Sequence, residues 1–280
     1  MILIAESGST KSHWILCDEN GSFHKEFKTI GLNPYFTKKN VIASKLRNVG
    51  VNEFNNEVKH IFFYGAGCSR VEKSNIIKDA LKEIFTKANI IIKHDLEAAC
   101  ISLYKKEPNI TCILGTGSNS CFYDGKEIIK SAPSLGFILG DEASGNYFGK
   151  KVLNLYFNNL LPEDLKCTLE SQFEINLDII KNEIYNSSRP NMFLAKYFLF
   201  INENKNHPFI HKLIIDSLDE FINIHIKCFK NYSYVKINFT GSVAFFLKEE
   251  IELLAKKHGF NVGDIKQKPI YDLVTYHTKK

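Results

Sequence analysis

Cys112-Ile113-Leu114-Gly115-Thr116-Gly117-Ser118-Asn119-Ser120-Cys121-Phe122-Tyr123-Asp124-Gly125 is an apolar run, a turn of small residues and an apolar-polar alternation ending at a second reversal. That pattern predicts a β-hairpin with a polar, glycine-rich tip. Glycines at 115 and 117 let the backbone approach a ligand closely. The amides and hydroxyls of Thr116, Ser118 and Asn119 are groups that hold an anion, with phosphate the first candidate.

The N-terminus repeats the design. Leu3-Ile4-Ala5-Glu6-Ser7-Gly8-Ser9-Thr10-Lys11-Ser12-His13-Trp14-Ile15-Leu16-Cys17-Asp18 reads as strand, polar turn and strand, with a reversal at Asn20-Gly21. Laying Gly8-Ser9-Thr10 over Gly117-Ser118-Asn119 keeps the flanking apolar strands in register and predicts an internal duplication, one phosphate hairpin per half. Either turn alone reads equally well as an ordinary hairpin; the pair predicts a joint grip on one triphosphate. Thr10-Lys11-Ser12 lacks the glycine that precedes lysine in a P-loop, so that motif is excluded.

Outward from the hairpins, His60 to Cys68 reads as a buried strand breaking at Gly65 and Gly67, and Lys73 to Phe85 has helical spacing. Ile90 to Lys93 is a short strand delivering His94-Asp95 into a helix. Aspartate is a favoured N-cap, which would account for Asp95. The carboxyl ends of strands are also where α/β proteins place ligands, and both readings stand. Pro133 to Gly145 carries glycines and adjacent carboxylates, with a helix expected from Ala143. Residues 155 to 235 read as amphipathic helices, and Val235 to Thr240 as a strand into Gly241-Ser242-Val243, a further phosphate or nucleoside platform. Lys268 to His277 predicts a short terminal helix opened by proline.

A length of 280 residues predicts two domains, drawn here as 1–107 with a returning helix at about 268–280, and 108–267. The net charge of +5 is scattered among mixed Lys and Glu, which argues against a nucleic-acid partner. Seven cysteines without a Cys-x-x-Cys pair read as buried, reduced thiols. No run reaches the ~20 apolar residues of a membrane span, and the opening Met1-Ile2-Leu3-Ile4-Ala5 is too short for a signal-peptide core. A cytoplasmic protein is expected.

With these residues assembled, the chain resembles the sugar kinase, Hsp70 and actin superfamily, in particular the BadF/BadG/BcrA/BcrD-type ATPase branch that includes N-acetylglucosamine kinases. Six stretches carry the resemblance in order: Ile4 to Lys11, Gly31-Leu32-Asn33-Pro34, Tyr64 to Cys68, Gly115 to Ser120, Gly136 to Glu142 and Gly241 to Ala244. The resemblance implies a two-lobed α/β fold, actin-like and ribonuclease H-like, with a duplicated mixed sheet flanked by helices and an interlobe cleft. It implies that Gly8, Ser9, Thr10 and Lys11 form one phosphate loop, Gly115, Thr116, Gly117 and Ser118 the other, and Gly241, Ser242 and Val243 the adenosine motif. It places Asn33, Asn119, Gly136 and Asp141 at the sugar, Asp95 as the catalytic acid or base, and Glu6 at magnesium. Three positions depart from the family pattern: Glu6 and His13 stand where aspartate or another carboxylate is usual, and Ala143 replaces a glycine.

The implied function is ATP-dependent phosphorylation of a small-molecule amino sugar, N-acetylglucosamine to its 6-phosphate, with ATP and Mg2+ as cofactors and room for a homodimer. Two alternatives stay open. One is an ATPase that activates a partner enzyme, for which the cysteines offer no obvious cluster ligands. The other is a non-catalytic sugar- or nucleotide-binding sensor.

Overall fold

The computed structural model describes residues 1–278. It divides into two compact units, Met1–Lys105 with the segment from Lys268 onward, and Lys106–Gln267. The first unit contains β1 (Ile2–Ser7), β2 (Lys11–Cys17), β3 (Phe23–Ile30), α1 (Lys39–Asn48), β4 (His60–Gly65), α2 (Val71–Lys82), β5 (Asn89–His94) and α3 (Asp95–Leu103). Its sheet runs β3-β2-β1-β4-β5, with β1 antiparallel to β2 and parallel to β4. Alternate residues of β1 enter two different cores. Leu3 and Ala5 pack with Trp14, Phe63, Ile77 and Leu81, while Ile2 and Ile4 face the other way. A strand buried on both faces needs an unbroken apolar run, and Ile2-Leu3-Ile4-Ala5 supplies it.

The second unit contains β6 (Asn109–Leu114), β7 (Ser118–Tyr123), β8 (Ile128–Ser131), α4 (Gly136–Leu139), α5 (Gly145–Phe157), α6 (Glu163–Gln172), α7 (Leu177–Tyr185), α8 (Pro190–Ala195), α9 (Phe198–Glu203), α10 (Pro208–Phe221), β9 (Lys236–Thr240), α11 (Ser242–Phe246), α12 (Lys248–His258) and β10 (Asn261–Lys266). Its sheet order is β8-β7-β6-β9-β10, so in both units the third, second, first, fourth and fifth strands lie side by side. The duplication is therefore a duplication of topology, and the fold is the α/β, actin-like one. The alignment of the two tips differs from the sequence overlay. The β1-β2 register ends at Ser7 opposite Ser12, and the β6-β7 register ends at Leu114 opposite Ser118. Gly8-Ser9-Thr10 thus corresponds to Gly115-Thr116-Gly117, two residues earlier, and Asn119 lies within β7 opposite Ile113.

The terminal helix α13 (Ile270–Thr278) completes the first unit. Ile270 and Leu273 are fully buried against Ile2, Ile4, Ile15, Cys17, Tyr64 and Ala98 on the second face of the sheet. Near its end the His277 ring stacks on Phe62 at 3.6 Å between centroids, and Nε2 lies 2.8 Å from the Tyr64 hydroxyl. Burial, with Lys93 adding to it, pushes the His277 ring down to about 4. Between that value and the ordinary one near 6.5, the unfolded chain binds a proton that the folded chain does not, so stability is held above pH ~6.5 and lost as pH falls toward 4. After discounting for partial exposure, the expected loss is roughly 1–2 kcal/mol. The melting temperature of the native chain should fall more steeply from pH 7 to pH 5 than that of His277→Phe.

None of the seven cysteines, all within the described residues, forms a disulfide, and five of them, Cys17, Cys68, Cys100, Cys112 and Cys121, are buried. Among the described residues, no helix is long and apolar enough to cross a membrane.

Candidate active site

In the first unit the candidate residues gather at the carboxyl ends of β1, β4 and β5. The neck of the first hairpin is fixed by Ser7, whose Oγ receives hydrogen bonds from Ser12 Oγ and from the Leu32 amide at 3.0 Å. Gly31 N–H donates to the Thr10 carbonyl at 2.8 Å, so the Gly31-Leu32-Asn33 loop lies along the hairpin tip. From there Asn33, which is buried, donates from Nδ2 to Ser9 Oγ at 3.3 Å and accepts from the Tyr35 amide at 2.9 Å. Ser9 and Asn33, a predicted phosphate residue and a predicted sugar residue, are thereby in contact.

Glu6 sits on the last turn-ward stretch of β1, and burial pushes its carboxyl up to about 7, with repulsion from Asp95 adding and Lys11 partly offsetting. Asp95 also acts on Cys68, whose thiol burial has already pushed up to about 12. Glu6, Lys11, Cys68 and Asp95 therefore share one electrostatic neighbourhood.

Asp95 is not the N-cap of α3; it is the first helical residue, and the cap is His94, in extended conformation at φ −78 and ψ 148. His94 and Glu97 form a capping box, with Glu97 Oε1 accepting from the His94 amide at 3.4 Å. Helix capping thus no longer accounts for Asp95.

In the second unit, Asp141 is clamped to the second hairpin. The Ser118 amide donates to its Oδ1 at 3.4 Å, and Asn146 Nδ2 donates both to its Oδ2 at 2.7 Å and to the Thr116 carbonyl at 2.6 Å. Gly117 is required by this approach, because a Cβ there would stand 2.8 Å from Asp141 Oδ2. Burial raises the Asp141 carboxyl, and the hydrogen bonds from Asn146 and Ser118 pull it back. Gly145 and Asn146 donate their amides to the Gly115 and Thr116 carbonyls at 2.8 and 3.1 Å, fixing the tip to the start of α5. The Ser118 hydroxyl is buried with no hydrogen-bond partner. Gly241, at φ 111, closes on the same tip, since a Cβ on it would stand 2.3 Å from the Leu114 carbonyl and 3.2 Å from the Gly115 amide. Val243 is buried in the core, which leaves only its main chain for a ligand. Gly136 opens α4, and Asn119 Oδ1 accepts from the Ser120 amide at 2.8 Å.

The helix expected from Ala143 begins at Gly145, capped by Ser144 Oγ, which accepts from the Tyr147 amide at 3.3 Å. The reason is that Asp141 and Ala143 hold left-handed backbone at φ 62 and φ 54. Ala143 thus occupies a conformation suited to glycine, at a cost of about 1–2 kcal/mol. Its methyl is fully buried and contributes about 0.8 kcal/mol. Ala143→Gly should therefore lie within about 1 kcal/mol of the native chain, whereas Ala143→Val, strained and overpacked, should lose on the order of 2–4 kcal/mol. Chemical denaturation of the two variants checks both values.

Beside Asp141, Glu142 is buried and pairs through Oε2 with His225 Nε2 at 2.7 Å. His225 is brought there by a π-helical turn, Ile222–Ile226, that continues α10, and its carbonyl accepts from Ser120 Oγ at 2.6 Å.

A solved structure from Porphyromonas gingivalis, of a protein named provisionally as an N-acetylglucosamine kinase, is 33% identical with a TM-score of 0.91, covering 99% of this chain and 99% of that one. The chain belongs to this N-acetylglucosamine kinase-like family. A curated N-acetylmuramic acid/N-acetylglucosamine kinase of Clostridium acetobutylicum is 34% identical over 118 residues, which are 41% of this chain and 37% of that protein. The match thus spans little more than a third of the curated relative's length. A ROK family glucokinase of Streptomyces griseus, solved with glucose and AMPPNP, is 11% identical with a TM-score of 0.62 over 98% of both chains, a likeness of fold alone. No protein-family model matches the chain.

In this N-acetylglucosamine kinase-like chain, sequence reasoning missed Asn146, His94 and the Glu142–His225 pair. Asn146 follows Ser144-Gly145 at a helix start, where an amide side chain raises no signal of its own. His225 lies 83 residues from Glu142, beyond any local pattern. His13, where the family pattern has a carboxylate, is buried and directs Nε2 to Glu26 Oε1 of the neighbouring strand at 2.9 Å.

Proposed function

We propose that the chain is an ATP-dependent amino-sugar kinase of the BadF/BadG/BcrA/BcrD-type branch, phosphorylating N-acetylglucosamine at its primary hydroxyl to give N-acetylglucosamine 6-phosphate and ADP. The observation that carries the reading is the likeness to the Porphyromonas gingivalis protein along 99% of both chains. Phosphoryl transfer asks mainly for positioning and charge neutralisation. The amides of Ser9 and Thr10 and of Thr116 and Gly117, with Lys11, suit the phosphates, whereas those of Gly8 and Gly115, also expected there, close their own turns on the Lys11 and Gly117 carbonyls at 3.1 and 2.9 Å. The Ser118 hydroxyl, buried without a partner, gains one in a phosphate oxygen. Gly241, Ser242 and the main chain of Val243 take the adenosine, and Asn33, Asn119, Gly136 and Asp141 the sugar. Asp95 accepts the hydroxyl proton as the sugar oxygen bonds to the γ-phosphorus and the bond to the ADP oxygen breaks.

Magnesium supplies charge neutralisation on the nucleotide in such a reaction. Glu6 fits it, because its carboxyl is raised by burial and by Asp95, two penalties that a cation relieves. Among the described residues, no group of three or more His, Cys, Asp or Glu side chains is placed to hold a metal ion. Magnesium keeps several waters and takes one or two carboxylates, a role that a single Glu6 can fill.

The experiment is coupled detection of ADP with N-acetylglucosamine, N-acetylmuramic acid, glucose and no sugar. Release that depends on N-acetylglucosamine is expected. Release without sugar would identify an ATPase, and none with any sugar a sensor.

A further inference from the structure

We propose that His94 is a positioning residue for Asp95, its ring fixing one carboxylate oxygen so that the other is presented to the sugar hydroxyl. The inference rests on the reading of Asp95 as the base. His94 closes β5, and its ring lies against the first turn of α3. It holds the N-cap position of the capping box with Glu97, and its Nε2 lies 3.1 Å from Asp95 Oδ1. With its proton on Nε2, the ring is the donor that this role requires. The ring is about four-fifths buried, with a side-chain exposure of 21%. Glu97 is itself tied down, Oε1 by the His94 amide and Oε2 by Lys93 Nζ, so the frame that orients the ring is complete.

Capping alone is a poor reason for this residue. Serine, aspartate and asparagine cap more favourably than histidine. What histidine adds is a second nitrogen long enough to reach the first helical side chain. The need for it is visible in the surroundings. Asp95 acts electrostatically on Glu6 of β1 and on Cys68 after β4. A carboxylate repelled by Glu6 turns away from it unless a donor holds it, and His94 Nε2, 3.1 Å away, is placed to be that donor.

Two substitutions separate the two duties of the ring. His94→Asn keeps an acceptor for the Glu97 amide and loses the reach to Asp95, whereas His94→Gln places an amide nitrogen where Nε2 stood and gives up the cap. Sugar-dependent ADP release, KM for N-acetylglucosamine and melting temperature are measured for both, together with Asp95→Asn and the double variant Asp95→Asn/His94→Asn. Expected is a His94→Asn chain that melts like the native one, with kcat reduced roughly 10- to 100-fold at little changed KM, the usual effect of removing an orienting partner. His94→Gln should recover kcat to within a few-fold despite a lower melting temperature, and the double variant should be no slower than Asp95→Asn. Native kcat in His94→Asn, or kcat that follows melting temperature in both variants, overturns the proposal. A slow Asp95→Asn beside an unaffected His94→Asn overturns this inference alone, whereas a fully active Asp95→Asn removes the base reading and this inference with it.

Discussion

Asp95→Asn is expected to keep the fold and to lower sugar-dependent ADP release by roughly 10²- to 10⁴-fold, the range for loss of a general base. Asparagine matches aspartate in size, and the helix that Asp95 opens is capped by His94 and Glu97 rather than by Asp95 itself. Melting temperature should therefore change little, which isolates the chemistry. Removing the charge also relieves repulsion on Glu6, so that carboxyl should titrate lower than about 7 in the variant. Turnover near the native rate with unchanged melting would remove Asp95 from the mechanism.

The second large effect concerns Glu6. Glu6→Ala is expected to cost more than about 10²-fold in magnesium-dependent turnover, in line with the several kcal/mol that metal charge stabilisation contributes. Glu6→Asp, shorter by one methylene, should stay within about tenfold, or ~1.4 kcal/mol. Burial and Asp95 raise the folded carboxyl to about 7. Below that pH the free carboxyl is protonated, and an ion must displace the proton. The magnesium concentration for half-maximal turnover should consequently rise as pH falls below 7, by about tenfold per unit. A magnesium series at pH 6, 7 and 8 for the native chain, Glu6→Asp and Glu6→Ala measures this. A silent native chain restored by Glu6→Asp would replace the kinase with a sensor.

The two hairpins are legible in the sequence because their signals are local, glycine and hydroxyl tips between alternating apolar runs. Strand β3 is not, since Phe23-His24-Lys25-Glu26-Phe27 is charged and largely exposed at a sheet edge, where burial imposes no alternation. Strand β10 escapes for a related reason: Gly263 and Asp264 interrupt it, and its register with β9 shifts between Val262 and Ile265. In the site, residue types such as Asp95, Asn33 and Asp141 can be read from strand-end and glycine-rich contexts. Their geometry cannot. That Asp95 is the first helical residue rather than the cap depends on where the chain leaves extended backbone, which is after His94. That Asp141 leans on the hairpin tip depends on Asn146, which offers three possible hydrogen-bond partners until the backbone chooses.

The helix α13 also sets an order of events at the ribosome. The face of the first sheet that it covers, lined by Ile2, Ile4, Ile15 and Tyr64, is synthesised early, and its cover, Ile270 and Leu273, last. Between them the whole of Lys106–Gln267 must be made. At ~5–20 residues per second, that apolar face waits on the order of ten to thirty seconds for its partner. During that interval the nascent chain offers a sticky sheet to chaperones and to other nascent chains, while the second unit can already close its own core. Aggregation during expression should therefore be more sensitive to Ile270→Asp or Leu273→Asp than to comparable changes on α12, although all of these side chains are equally buried in the finished protein.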